Sequence, residues 1–172
     1  MIKAFFQAIR IENIGIGIIC CLVTFFKVSN NNWLNFLIGT SIVILLMMAS
    51  NLVNDIYDIK SDKVNKPGRP LVIFPQLKLP FQVFAALLFA LSLILSIFIS
   101  SIVFLIVCFS IPLLFLYTPF LKGVPLLGNI LVSFYLAFVF VFIEICVLGD
   151  IDVMVLPAGF AFGISLIREV IK

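Results

Sequence analysis

"LPFQVFAALLFALSLILSIFISSIVFLIVCFSIPLLFLYTPFL", residues 79–121, contains no Asp, Glu, Lys or Arg. As one helix it would extend about 64 Å at 1.5 Å per residue, twice the roughly 30 Å hydrocarbon core of a bilayer. It is too apolar for water and too long for one crossing, so it must fold back on itself. The hydroxyl-rich "SIFISS" (Ser96 to Ser101) is the place for that turn. Two membrane spans, the third and fourth of the chain, are expected on either side.

Working outward, charge gaps and breakers mark four more. Span one covers Ile11 to Val28 and ends at the polar "KVSNNN" (Lys27 to Asn32). Span two covers Trp33 to Asp58 and leads into a polar loop holding Pro67, Pro70, Pro75 and Pro80. "TPFLKGVP" (Thr118 to Pro125) interrupts the chain after span four. Span five runs to about Leu148, "GDID" makes a turn, and span six ends at Lys172. The expected fold is all-α: a polytopic transmembrane helical bundle with six spans, without internal repeats.

Bulk composition agrees. Of 172 residues, 64% are apolar and 11% charged, where a soluble domain carries about a quarter charged. The mean hydropathy is +1.34. A net charge of +3, with no basic run interleaved with aromatics, gives no footprint for nucleic acid. Histidine is absent, which removes imidazole catalysis and His-based metal or haem ligation. Cys20, Cys21, Cys108 and Cys146 lie in apolar runs at no metal-ligand spacing and read as small core residues. The first 28 residues resemble a signal peptide without an A-x-A-like cleavage site, so a retained first span is expected.

Basic residues orient the spans. With the N-terminus cytoplasmic, Lys3, Arg10, Lys60, Lys63, Lys66, Arg69, Lys78, Lys122, Arg168 and Lys172 share the cytoplasmic side, and Lys27 alone falls opposite. An invented or missed span would scramble this split.

Against that background "ASNLVNDIYDIKSDKVNKPGRP" (Ala49 to Pro70) is anomalous, because it sets Asn51, Asn54, Asp55, Asp58 and Asp62 at the end of a span. On a helix that continues to Asp62, the side chains of Asn51, Asn54, Asp55, Asp58 and Asp62 fall within an arc of about 100°. Leu52, Ile56 and Ile59 lie across from them. Each charged carboxylate costs about 2.5–3.5 kcal/mol at the centre of a span and less near the interface, so the stripe calls for partners. Hard divalent cations take oxygen ligands, and magnesium is commonly held by one or two carboxylates together with substrate phosphates. Lys63, Lys66 and Arg69 in the following loop suit phosphate oxygens. The plain alternative is a solvated helix end whose acids pair with neighbouring lysines.

The same stretch resembles the first aspartate-rich motif of the UbiA-type intramembrane prenyltransferases, N-D-x-x-D-x-x-x-D followed by D-K-x-N-x-P-x-R-P. Asn54, Asp55, Asp58, Asp62, Lys63, Asn65, Pro67, Arg69 and Pro70 all match. Weaker similarity reaches Arg10 and Asn13, "LYTPFLKGVPLLGNILVSF" (Leu116 to Phe134) and "REVIK" (Arg168 to Lys172). The resemblance implies a helical bundle with a cavity open to lipid. An isoprenyl diphosphate would bind there through Mg2+, the allylic carbon would ionise, and a lipophilic acceptor would capture it. It implies Asn54, Asp55, Asp58 and Asp62 as the metal group, with Asp55, Asp58 and Asp62 serving catalysis and Asn51 in support. Lys63, Arg69 and Lys122 would neutralise the diphosphate, and Arg10, Asn13, Tyr117 and Arg168 would complete substrate binding.

Other readings of single residues stand beside these. Snorkelling explains Lys63 and Lys122 equally well, topology explains Arg10, and an interfacial aromatic explains Tyr117. Asn129 is expected to cap locally or bond across helices; Glu144 either meets water or faces the bundle interior. The family's bundle has about nine helices and a second acidic motif, of which this chain carries only Arg168, Glu169 and Lys172. The chain is therefore expected to be a single prenyltransferase-like domain over residues 1–172, truncated at its C-terminus. It also lacks the Ser-Gly that often follows R-P in the family. "REVIK" leans toward the branch that uses geranylgeranylglyceryl phosphate as acceptor. A quinone-type aromatic acceptor, or a non-catalytic membrane protein, is the alternative.

Overall fold

The computed structural model describes residues 2–28, 32–124 and 126–171, with side chains from Phe5 onward. Part of the "KVSNNN" turn, the breaker Pro125 and the terminal Lys172 lie outside these. Among the described residues every regular element is helical.

The first span is α2 (Ile11–Val28), preceded by a short helix, α1 (Ile2–Ile9). Span two is α3 (Trp33–Tyr57), started by the Asn32 side chain accepting from the Asn35 N–H at 3.2 Å. The proline-bearing loop is more ordered than expected. It holds α4 (Ile59–Asn65) and α5 (Pro70–Ile73), then a 3-10 turn at Pro75–Leu77. Pro70 and Pro75 each open their helix, where a missing N–H costs nothing.

The uncharged run divides where the hydroxyls predict. The helix α6 (Lys78–Ile97) ends, and Ser100 caps α7 (Ser101–Leu116) by accepting from the Val103 N–H at 3.2 Å. A π-turn over Tyr117–Leu121 follows, closed by the Lys122 N–H donating to the Tyr117 carbonyl at 2.8 Å. Pro119 supplies no N–H inside this turn, which opens the regular ladder there. The chain continues through α8 (Leu127–Leu148) to α9 (Val155–Ile171).

Five helical segments among the described residues are at least 18 residues long and apolar enough to cross a membrane. Helix α9 stands where the sixth span is expected and has 17 residues. The outward faces carry large exposed apolar groups, including Leu34, Leu87, Phe109 and Phe160. In water such a belt would aggregate; in lipid it is solvated.

Inside, α3 is the hub, packing against α2, α6 and α8. Two apolar clusters stack along it. One joins Cys21, Phe25, Phe36, Ile42, Val103, Phe142 and Cys146 toward its start. The other joins Ile9, Ile14, Leu52, Val53, Leu71, Phe81 and Leu88 toward its end. Of the cysteines expected in the core, Cys21 and Cys146 are buried, while Cys108 is exposed among the outward side chains of α7.

Candidate functional site

The acidic stripe sits at the end of α3, with one departure from a straight helix. Asp58 has φ −80° and ψ 0°, so α3 stops at Tyr57 and α4 starts at Ile59. Hydrogen bonds bridge the break: the Asp58 N–H donates to the Asn54 carbonyl at 2.9 Å, and the Asp62 N–H to the Asp58 carbonyl at 2.8 Å. The path bends without losing its ladder, so the stripe survives as a curved edge. Leu52 and Val53 on the other side are buried in the second cluster.

Asp55 is the deepest of the acids at 2% exposure. Its Oδ1 receives Nη2 of Arg10 at 3.4 Å and lies 3.8 Å from Nη1 of Arg69. Oδ2 is buried, with no hydrogen-bond partner among the described residues. A buried carboxylate oxygen left unmatched is costly, and such atoms call for a ligand. Asp58 pairs through Oδ2 with the Lys122 ammonium, which also donates to Oδ1 of Asn54 at 3.2 Å. The buried hydroxyl of Thr118 donates to the same Asn54 oxygen at 3.4 Å. Asp62 is buried and within electrostatic reach of Asp55.

The cations arrive from three parts of the chain. Arg10 separates α1 from α2 at φ +54°, a left-handed conformation unfavourable for a residue with a Cβ. Asn51 stabilises the bend by donating from Nδ2 to the Ile9 carbonyl at 2.9 Å. Arg69 is the residue before Pro70 in extended backbone, at the entrance to α5. Lys122 follows the π-turn, and Gly128 lets α8 close onto it. A Cβ on Gly128 would come within 3.2 Å of the Leu121 carbonyl and 3.3 Å of the Lys122 Cα.

Several expected residues take other places. Arg10 and Asn13 do not share a helix face, because the helix breaks at Arg10; Asn13 is exposed on the first turn of α2. Lys63 is exposed on α4 and joins no ion pair among the described residues. Tyr117 is half-buried on the π-turn, within electrostatic reach of Asp58, Glu169 and Arg10. Arg168 is 57% exposed and pairs with Glu169 at 2.9 Å. Asn129 makes the interhelical bond, donating to the Glu169 carbonyl at 3.2 Å. Thr118 was not expected; its signal was the four-residue spacing to Lys122, which turns both toward Asn54.

Together these groups set carboxylate and amide oxygens among guanidinium and ammonium groups, at the rim of an apolar bundle. Among the described residues no three Asp, Glu or Cys side chains converge closely enough to hold a metal ion. The oxygen donors present, including the unmatched Asp55 Oδ2, suit a hard cation that brings further ligands with it.

Comparison with known proteins gives the chain's relatives. The profile of the UbiA prenyltransferase family matches residues 17–167. Digeranylgeranylglyceryl phosphate synthase of Methanococcus maripaludis strain C6 is 33% identical over 179 residues, covering 99% of this chain and 62% of its own length. The synthase of the same name from Methanosarcina mazei is 40% identical over 101 residues, covering 59% of this chain and 35% of its own. A solved structure from work on the "biosynthesis of Digeranylgeranylglyceryl phosphate synthase in membranes" superposes with a TM-score of 0.78 at 30% identity. It covers 96% of this chain and 58% of its own. The chain thus spans 62% of the length of the Methanococcus relative. With the family profile running from α2 into α9, across both the carboxylate edge and the Lys122 turn, this chain belongs to the UbiA prenyltransferase family.

Proposed function

We propose that the protein transfers an isoprenyl group from its diphosphate to a lipophilic acceptor at this end of the bundle. The observation that carries the reading is the convergence of Asn54, Asp55 and Asp58 with Arg10, Arg69 and Lys122 between apolar helices. Neutralising a diphosphate as it leaves requires positive charge aimed at its oxygens, and the two arginines and the lysine provide it. Asp58, Asn54 and the free Oδ2 of Asp55 would hold Mg2+, with Asp62 adding negative field beside them. When bound, the ion would offset charge growing on the leaving group. Apolar walls would keep water from the allylic carbon.

Geranylgeranylglyceryl phosphate is the acceptor this reading favours. The synthases similar to this chain are named for digeranylgeranylglyceryl phosphate, the compound formed when that acceptor gains one geranylgeranyl group. Residues 1–172 would act as one membrane-embedded domain, with the N-terminus and the acidic edge cytoplasmic because nearly all the basic residues belong on that side.

The test is product formation in nanodiscs from geranylgeranyl diphosphate, geranylgeranylglyceryl phosphate and Mg2+, followed by mass spectrometry. Asp58→Ala is expected to lower turnover at least about 100-fold, an oxyanion-scale effect, while the protein still inserts and melts normally. Wild-type turnover in that variant refutes the assignment.

A further inference from the structure

Asp55 and Asp58 are neutralised in different ways. Asp55 lies at 2% exposure between two arginines whose backbones are pinned at the α1–α2 bend and at the entrance to α5. Asp58 is neutralised by Lys122, a side chain 41% exposed on a flexible four-carbon stem. The backbone under that stem is fixed by the π-turn hydrogen bond and by the close approach of Gly128. The ammonium can therefore leave while its anchor stays.

Lys122 also occupies the two oxygens a cation would use first, one from Asp58 and Oδ1 of Asn54. A lysine ammonium only donates, so the Asn54 amide must present its oxygen there. Thr118 donates to the same oxygen and holds that orientation. Two cations cannot share this pair, because like charges a few ångströms apart repel strongly beside an apolar bundle. A bare metal ion would have to expel the lysine into a position without an anionic partner. It would also lack ligands, since among the described residues no three Asp, Glu or Cys side chains converge. A metal carrying diphosphate solves both problems: phosphate oxygens complete its coordination and receive the released ammonium.

We propose that Lys122 is a resident counter-ion that excludes free divalent metal from Asn54 and Asp58, so that metal and diphosphate are admitted only together. The proposal rests on the reading of this edge as a diphosphate site. It adds an order to binding: the lysine leaves the carboxylate as the diphosphate arrives and then serves the phosphate. The device would keep the site from being filled by metal alone.

The test measures Mn2+ binding to purified protein in nanodiscs by calorimetry and electron paramagnetic resonance, with and without inorganic pyrophosphate. For the wild type, pyrophosphate is expected to tighten Mn2+ binding about tenfold or more, corresponding to one ordinary unit of electrostatic linkage. In Lys122→Met, Mn2+ alone is expected to bind about tenfold tighter than in wild type, and the gain from pyrophosphate to shrink below about threefold. Lys122→Arg keeps the charge and should keep the wild-type pattern. Lys122→Gln, which can still donate to Asn54, replaces the methionine variant if that one fails to fold by circular dichroism. A folded, uncharged variant that binds Mn2+ alone no tighter than wild type overturns the proposal. So does one that retains full pyrophosphate synergy. Should wild-type protein bind Mn2+ neither alone nor with pyrophosphate, the diphosphate reading itself falls.

Discussion

Glu144 and Asp55 are both buried acids on long apolar helices, yet their partners differ in kind. Glu144, near the end of α8, is fully buried. Its Oε1 accepts from the Val153 N–H at 2.7 Å, and both its oxygens accept from the Met154 N–H at 3.2 Å. Those amides belong to the turn that leads into α9, so the carboxylate fastens two helices together through main-chain donors. Asp55, near the end of α3, faces side-chain cations instead and keeps one oxygen unmatched. Backbone amides cannot leave with a ligand; side-chain cations can turn to meet one. One end of the bundle is closed by its acid, and the other is held ready by it.

That contrast is open to attack by substitution. The largest effect on stability should come from Glu144→Ala, which strands the buried Met154 N–H and the Val153 N–H and should cost about 3 kcal/mol in a thermal melt. Mn2+–pyrophosphate binding should not move; a parallel loss would show that the two ends are coupled. Gly39→Ala probes the same closed end, since its Cβ would stand 3.0 Å from both Cβ and Sγ of Cys146. Overpacking there should destabilise by about 2 kcal/mol, again with binding intact. Asn51→Ala, at the open end, should cost about 1 kcal/mol through the lost bond to the Ile9 carbonyl. It should also weaken pyrophosphate binding severalfold, because Arg10 loses its perch. Arg10→Gly should alter stability less than loss of a partner for the buried Asp55 carboxylate would by itself, since relief of the left-handed backbone offsets part of that loss and Arg69 remains beside the carboxylate. Its pyrophosphate affinity should nevertheless fall, and a variant that keeps full affinity would remove Arg10 from the site.

Much of this architecture is legible in the chain of residues alone. The bounds of α2, α3 and the α6–α7 turn follow from charge gaps, breakers and the length a bilayer allows, which are local. The aspartate edge followed from helical periodicity, which is also local, and the bend at Asp58 only curved it. Spacing misleads where a helix breaks. Arg10 and Asn13 are three residues apart, but a single positive φ separates them. Lys63 matches the family motif, yet α4 turns it outward. Thr118 went unnoticed because nothing near it in the chain shows that Asn54 lies opposite.

Hydropathy and spacing within a few turns are enough to specify the apolar surroundings, the helical class, the bounds of the long helices and the family. How the charges are shared emerges in three dimensions. The tertiary structure sets Arg10 and Arg69 on Asp55, Lys122 on Asp58, and backbone amides on Glu144. Those pairings join residues far apart in the chain, and electrostatics in an apolar bundle depends on distance in space rather than along the sequence.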